Sequence, residues 1–96
     1  MKPYIGIVHK DPESAWGITF PDAPGCFSAS DEIDDLFPNA AEALELWSEG
    51  KAADGLPIPI PRELSELHAD PEWRDRFDTA TLVIAVQPPG PIKKAA

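Results

Sequence analysis

The sequence predicts an α+β fold in which three strands, one main helix, short helices and a fourth strand follow one another. Residues 4–29 contain short apolar or alternating segments typical of strands. Residues 33–47 carry apolar side chains spaced by four and three, the period of a helix, and residues 79–87 are apolar and β-branched. A helix between the third and fourth strands implies a crossover. We therefore expect three antiparallel strands, a parallel fourth strand, and the main helix on one face of the sheet.

The first two strands are predicted at residues 4–9 and 15–20. The first segment is rich in β-branched residues, and the second alternates large apolar side chains with small ones. Residues 10–14 between them are polar, include a proline and have the length of a hairpin loop. The two strands are therefore expected to pair as an antiparallel hairpin.

The connection to the third strand has two prolines, a glycine and the single cysteine of the chain. Pro21 and Pro24 fix φ and have no amide hydrogen, while Gly25 can adopt a positive φ angle, so the chain is expected to turn sharply here. Cys26 begins a short third strand at residues 26–29. Because no histidine or lysine lies near it in the sequence, we interpret Cys26 as a small buried side chain and not as a nucleophile.

The main helix is predicted from one apolar stripe, made of Ile33, Phe37, Ala40, Leu44 and Trp47. Pro38 conflicts with this pattern, because a proline inside a helix removes a hydrogen bond and clashes with the preceding turn. Either the helix begins later, with Pro38 in its first turn, or it is kinked at this residue. Gly50 or Gly55 is expected to end it.

The opposite side of this helix is acidic, and acidic residues also crowd its start. The chain contains 17 Asp and Glu against 8 Lys and Arg, a net charge of -9, which disfavours contact with nucleic acid and favours a basic partner. The alternative is that this charge only confers solubility and complements the helix dipole. The candidate partner-binding residues are Asp31, Asp34, Asp35, Glu42, Glu45 and Glu49.

The second half of the domain is predicted to contain a strap, short helices and the last strand. Residues 56–61 alternate proline with aliphatic side chains, which favours an extended segment packed against the domain. Short helices are expected next, and residues 79–87 have the composition of a strand that is buried on both faces. We expect residues 1–88 to form a single domain and residues 89–96 to form a flexible tail.

Three short motifs occur in a fixed order. They are Phe-Pro-Asp-Ala-Pro-Gly-Cys at residues 20–26, Asn-Ala-Ala-Glu-Ala-Leu at 39–44 and Asp-Gly-Leu-Pro-Ile-Pro at 54–59. In this order and spacing, the chain resembles the amino-terminal domain of the HicB-type antitoxin family over residues 4–67. The element order is also that of a partial ribonuclease H-like sheet. The residues to which the motifs give a structural role are Phe20, Pro21, Asp22, Pro24, Gly25, Cys26, Gly55 and Pro57.

The resemblance implies a protein that binds a small basic toxin of the HicA type, which cleaves mRNA, and covers the active-site surface of that toxin. It also implies a homodimer or a larger homo-oligomer. The alternative is a stand-alone oligomeric binding protein with the same domain and another partner or a small ligand. A neighbouring gene for a small basic protein would favour the first interpretation, and its absence would favour the second.

The sequence does not predict an enzyme, a cofactor or a metal site. A two-metal nuclease would need carboxylates on its first and fourth strands, and residues 4–9 and 79–87 contain none. His9 and His68 have neither zinc-ligand spacing nor an evident nucleophile partner. We therefore expect binding and not catalysis.

We expect a cytoplasmic protein without a membrane segment. The apolar run at the start of the chain is too short for a signal peptide or a membrane span, and a single cysteine excludes an internal disulfide. Residues 87–96 contain three prolines and no helical period, so direct DNA binding is not expected from this chain.

Overall fold

The computed structural model describes residues 2–87, which form a four-stranded sheet with helices on both faces. The predicted flexible tail at residues 89–96 lies outside the described residues. The α+β class and the predicted order of strands and helices are confirmed. The elements are β1 (Tyr4–Lys10), β2 (Trp16–Thr19), β3 (Phe27–Ser30), α1 (Ile33–Ala53), α2 (Leu64–Ala69), α3 (Pro71–Asp78) and β4 (Leu82–Val86).

The strands lie in the order β3-β2-β1-β4, and every neighbouring pair is antiparallel. Val8 of β1 lies opposite Ile18 of β2 and opposite Leu82 of β4. Ile18 in turn lies opposite Ser28 of β3. This register places alternate residues of all four strands on the same face of the sheet.

The predicted parallel fourth strand is wrong, because β4 pairs with β1 in antiparallel orientation. The prediction assumed that α1 alone carries the chain from β3 to β4. In the structure the residues after α1 cross to the other face of the sheet, where α2 and α3 pack before β4 begins. The direction of β4 is therefore not set by the helix that follows β3. The likeness to a partial ribonuclease H-like sheet stays a prediction.

Helix α1 covers one face of the sheet, as predicted. Its buried residues Leu36, Ala40 and Leu44 form an i, i+4, i+8 row. The apolar stripe expected from the sequence was correct at Ala40 and Leu44 but wrong at Phe37, which is 39% exposed, while its neighbour Leu36 is fully buried. Pro38 lies inside α1, so the helix does not begin later than the stripe suggested.

Gly55, and not Gly50, ends this helix. Gly55 has a φ of +71°, a backbone conformation that other residues rarely adopt. Its amide donates to the carbonyl of Ala52 at 3.1 Å, and the amide of Leu56 donates to the carbonyl of Lys51 at 2.9 Å. This pair of hydrogen bonds is a Schellman motif, which satisfies carbonyls that a helix end leaves without partners.

Two groups of apolar side chains form the core. The group between the sheet and α1 contains Tyr4, Val8, Ile18, Phe20, Ala23, Cys26, Leu36, Ala40, Leu44 and Val86. The smaller group, on the other face, is made by Ile7 of β1, Leu67 of α2 and Phe77 of α3. Helices α2 and α3 therefore seal the part of the second face that lies over β1.

Candidate partner-binding surface

The carboxylates of α1 that were predicted to bind a partner lie on the side of the helix away from the sheet. At 100° per residue, Glu42 lies about 160° around the helix axis from the buried Ala40. Asp34, Asp35, Glu42 and Glu49 are exposed, and Glu45 is half-buried. We call these five residues the acidic face of α1.

The acidic face is long for a domain of this size. Asp35, Glu42 and Glu49 recur every seven residues, which corresponds to about 10 Å along the helix axis. From Asp34 to Glu49 the face extends for about 22 Å, with a rise of about 1.5 Å per residue. Asp31 is exposed and lies just before the helix, so it extends the same charged surface toward β3.

Four of the five carboxylates of this face form no ion pair in the part of the chain that the structure describes. They are Asp34, Asp35, Glu42 and Glu49. Asp34 and Asp35 lie in the first turn, where the helix dipole favours negative charge. This dipole accounts for the two aspartates but not for glutamates in the later turns.

One apolar side chain lies within the acidic face. Leu46 is 62% exposed, with Glu42 one turn before it and Glu49 nearly one turn after it. The sequence analysis missed Leu46 because this residue lies outside the apolar stripe. Core packing does not require a leucine at this position, since its side chain is mostly in solvent.

The motif at residues 20–26 forms two consecutive tight turns. The amide of Ala23 donates to the carbonyl of Phe20 at 3.1 Å, and the amide of Cys26 donates to the carbonyl of Ala23 at 2.9 Å. Gly25 has a φ of +86°, so the predicted need for glycine at this position is confirmed. Phe20 and Ala23 are buried, and they fix these turns against the core.

Asp22 connects this turn to the second half of the chain. Its Oδ2 accepts a hydrogen bond from the backbone amide of Arg62 at 2.7 Å, and its Oδ1 accepts one from the Arg62 guanidinium Nε at 2.9 Å. The same guanidinium donates to Asp70 at 3.1 Å. These bonds raise the pKa of Arg62, with Asp22 as the larger cause. The Trp47 indole also donates to the carbonyl of Pro24 at 2.9 Å, so α1 is attached to the turn as well.

Cys26 has the environment of a structural residue. Its side chain is 6% exposed, and burial raises its pKa to about 11. The thiolate, which is the nucleophilic form, is therefore scarce at neutral pH. Of the other motif residues, Gly55 ends α1 and Pro57 is exposed in the strap at residues 56–61. The strap is attached to β1 by a hydrogen bond in which the Tyr4 hydroxyl donates to the carbonyl of Pro59 at 2.5 Å.

A cavity of about 390 Å³ lies beside the motif turn. Its walls come from the turn, from Arg62 and from α3, including Trp73 and Arg76. Arg62 is already bonded to two aspartates, and the Arg76 guanidinium lies 5.4 Å from the ring centre of Trp73. The sequence analysis missed this cavity because its walls are distant in sequence.

Residues with the chemistry of metal ligands are dispersed. Across residues 2–87, no group of three or more His, Cys, Asp or Glu side chains is placed to hold a metal ion. His68 packs edge-on against Phe77, with their ring centres 5.5 Å apart. In the same part of the chain, none of the helices has the length and apolar character needed to cross a membrane.

The fold and the acidic face together define a small α+β domain of the binding type, with one long charged helix face. Residues 4–93 match the family model described as the HicB_like antitoxin of a bacterial toxin-antitoxin system. The chain belongs to this family, and the resemblance expected from the three motifs is confirmed.

A relative from Haemophilus phage HP1 (strain HP1c1) is an uncharacterized 14.9 kDa protein in the rep-hol intergenic region. It is 34% identical over 58 residues, which cover 60% of this chain. The same alignment covers 44% of the phage protein, so the chain spans less than half of that relative.

Solved structures of HicB proteins share the fold. A chain of the HicA3 and HicB3 toxin-antitoxin complex matches with a TM-score of 0.69 and 26% identity, over 91% of this chain and 98% of that one. The Burkholderia pseudomallei antitoxin HicB matches with a TM-score of 0.71 and 33% identity, over 91% and 62% of the two chains. Its amino-terminal domain alone matches with a TM-score of 0.70 and 28% identity, over 94% of this chain and 100% of that domain.

Proposed function

We propose that this protein is an antitoxin of the bacterial cytoplasm that binds a small basic, mRNA-cleaving toxin of the HicA type and covers its active-site surface. The observation that carries the proposal is the acidic face of α1, whose exposed carboxylates lack ion-pair partners along residues 2–87. Family membership and the likeness to a chain of the HicA3 and HicB3 complex support it. The protein acts by binding and not by catalysis.

The charge of the acidic face suits competition with RNA. A toxin that cleaves RNA must hold a polyanion on a cationic surface. A row of carboxylates about 22 Å long can occupy such a surface in place of phosphates. Opposite charge also raises the association rate and disfavours partners of the wrong sign. Binding of this face would therefore exclude the substrate from the toxin.

Leu46 gives the proposed interface an apolar centre. Binding energy in protein interfaces is concentrated in a few side chains that become fully buried, surrounded by a polar rim that excludes water. Leu46 has this arrangement in the free protein, since it is exposed and flanked by Glu42 and Glu49. The glutamates would steer and orient the toxin, while Leu46 would be buried against it.

The proposal is tested by the affinity for a small basic toxin of the HicA type, sought in the reading frames next to the gene for this protein. The variant Glu42→Lys/Glu49→Lys reverses two charges on the acidic face. The control Asp75→Lys/Asp78→Lys makes the same change in net charge on α3, which packs on the opposite face of the sheet. We expect the first variant to raise Kd by about 100-fold or more, because like charges across an interface cost several kcal/mol. The control should bind nearly as tightly as the wild type.

RNA cleavage by the toxin is measured in the same samples. Suppression of cleavage by the wild type and by the α3 control, but not by the α1 variant, would support the proposal. If the wild-type protein does not bind the toxin, the antitoxin function is wrong. If both variants lose affinity equally, binding depends on net charge and the assignment of the acidic face is wrong.

A further inference from the structure

Helices α2 and α3 leave the second face of the sheet uncovered at both of its edges. Val83, Ile7, Thr19 and Phe27 lie side by side across β4, β1, β2 and β3, so they point to the same face. Ile7 is fully buried under the helices, whereas Val83 is 36% exposed and Phe27 is 70% exposed. The predicted burial of β4 on both faces is therefore wrong. At Thr19 and Phe27, the uncovered part of this face forms one wall of the cavity beside the motif turn.

Two kinds of side chain line this cavity, buried apolar ones and exposed charged ones. Phe20, Ala23 and Cys26 of the motif turn are buried. Trp73 of α3 also packs against the smaller core group. The volume of about 390 Å³ lies within the range of about 300–1,000 Å³ for pockets that bind small molecules, and such pockets join apolar walls to a few polar groups. The cavity therefore has the size and the chemistry of a small-molecule site.

Glu72 and Arg76 place opposite charges in the wall that α3 provides. Both are exposed, and they lie four residues apart, about one turn of the helix. A glutamate four residues before an arginine commonly forms an ion pair, but among residues 2–87 neither of these two forms one. Arg62, in another wall, is already bonded to two aspartates. A carboxylate and a guanidinium are therefore both available to a molecule in the cavity.

We propose that this cavity binds a free aromatic amino acid. The guanidinium fork of Arg76 matches the carboxylate of such a molecule, and the Glu72 carboxylate would accept hydrogen bonds from its ammonium group. Its ring would pack against the aromatic side chains of Phe20, Phe27 and Trp73. A zwitterion has no net charge, so a chain with a net charge of -9 does not repel it as it repels a plain anion.

Thr19 provides a further polar group in the wall. Its hydroxyl oxygen is buried and has no hydrogen-bond partner among residues 2–87. Buried polar atoms usually have a partner, and a hydroxyl can both donate and accept. Because no hydrogen bond holds this hydroxyl in place, rotation about χ1 can turn it toward the amino acid. Binding would then satisfy a polar group that the free chain leaves without a partner.

The cavity is separate from the acidic face. The residues that line it come from β2, the motif turn, β3, Arg62 and α3, and not from α1. Helix α1 packs on the other face of the sheet. A bound amino acid and a bound toxin would therefore not compete, and this inference does not rest on the proposed antitoxin function.

Calorimetric titration of the free protein with L-phenylalanine tests the inference without any toxin. Two analogues separate the charges, since 3-phenylpropionate lacks the ammonium group and phenethylamine lacks the carboxylate. We expect saturable binding of L-phenylalanine and a Kd about tenfold or more higher for each analogue, because each loses a charge-assisted hydrogen bond. The indole NH signal of Trp73 in NMR spectra should shift during the titration, whereas that of Trp16, which does not line the cavity, should not.

Substitutions in the walls locate the site. Arg76→Gln should raise the Kd for L-phenylalanine by about tenfold or more, while the control Arg74→Gln, on the same helix but outside the walls, should not. Thr19→Val keeps the shape of the side chain and removes its hydroxyl. This variant should bind more weakly without a lower Tm, because the hydroxyl forms no hydrogen bond in the free protein.

Three outcomes would contradict the inference. Without saturable binding of L-phenylalanine to the wild type, the amino acid site does not exist. Equal loss of affinity in Arg76→Gln and Arg74→Gln would place any binding outside the cavity. If 3-phenylpropionate binds as tightly as L-phenylalanine and Glu72→Gln has no effect, the site recognises a carboxylate alone and its assignment to an amino acid is wrong.

Discussion

The outward side of α1 and the free edge of β4 are opposite in chemistry. The first presents five carboxylates and one exposed leucine, and the second presents a strand without any charge. The acidic face presents charged side chains to solvent, whereas the outer edge of β4 presents backbone amides and carbonyls. The difference shows that charge is concentrated on one helix face and is absent from one edge strand of the sheet.

This separation has a physical consequence for mutation. A charged surface loses affinity when its charges are reversed, but its backbone can stay unchanged. A strand edge loses affinity when a charge or a proline is introduced, even where the side chain points to solvent. The two surfaces should therefore respond to different substitutions, and a substitution at one surface should leave the other intact.

The largest predicted effect is a difference in stability between substitutions on the two sides of α1. Leu44→Ala should lower the free energy of unfolding by about 2–5 kcal/mol, because Leu44 is 1% exposed and its loss leaves a cavity. Leu46→Ala should change it by less than about 0.5 kcal/mol, since the side chain is mostly in solvent. Urea denaturation of both variants measures the difference.

The same pair of leucines tests the function of the outward side. Leu46→Ala should weaken toxin binding by about tenfold or more, because truncation of a residue at an interface centre costs above about 1.4 kcal/mol. A large loss of stability in Leu46→Ala would show that the outward side contributes to the fold, and the comparison of the two surfaces would fail.

Local sequence patterns predicted most of the fold. Periodicity identified all four strands and the main helix, and Gly25 and Gly55 occupy the positive-φ positions expected of glycine. The orientation of β4 was missed because it depends on where α2 and α3 pack, which periodicity does not encode. The hydrogen bonds of Arg62 join residues 40 and 8 positions apart, and no local pattern predicts them.

The candidate surfaces were predictable to different degrees. The acidic face followed from the 3.6-residue period, because glutamates opposite an apolar stripe must point outward. Leu46 did not follow, since it lies outside the apolar stripe and the analysis of the charged side considered only carboxylates. At β4 the composition predicted burial on both faces, and one copy of the chain covers only part of the strand. The composition of a strand indicates that its side chains are suited to burial, but it does not indicate what covers them.

An effect of intermediate size is expected from salt concentration, which should weaken contacts between charged groups more than contacts between apolar groups. The toxin complex should weaken by about tenfold when salt is raised from 0.1 M to 1 M, because the Debye length falls from about 10 Å to about 3 Å. The free energy of unfolding should change much less, since β4 and the core bury apolar and backbone groups without charge. Calorimetry of the complex and denaturation of the free protein measure the two responses.

Equal salt dependence of toxin binding and of unfolding would contradict this assignment. A toxin complex that is indifferent to salt would show that the acidic face is not its contact surface.

The smallest predicted effect is on the thermal stability of the domain in acid. This stability limits the pH range over which the two surfaces can be compared. The amide of Glu72 and the guanidinium of Arg62 lower the pKa of Asp70 below 3.8 in the folded chain, with the amide as the larger cause. A lowered folded pKa stabilises the protein at pH values above 3.8, and this contribution is lost as the pH falls through the folded value. Asp70→Asn should therefore have a slightly lower Tm than the wild type at pH 7, and the gap should close as the pH falls below 3.8. Asp75→Asn, at an exposed aspartate within α3, is the control for the removal of a carboxylate. Thermal melts of the three proteins across this pH range would reveal a gap that persists in acid if Asp70 acts through packing and not through its charge.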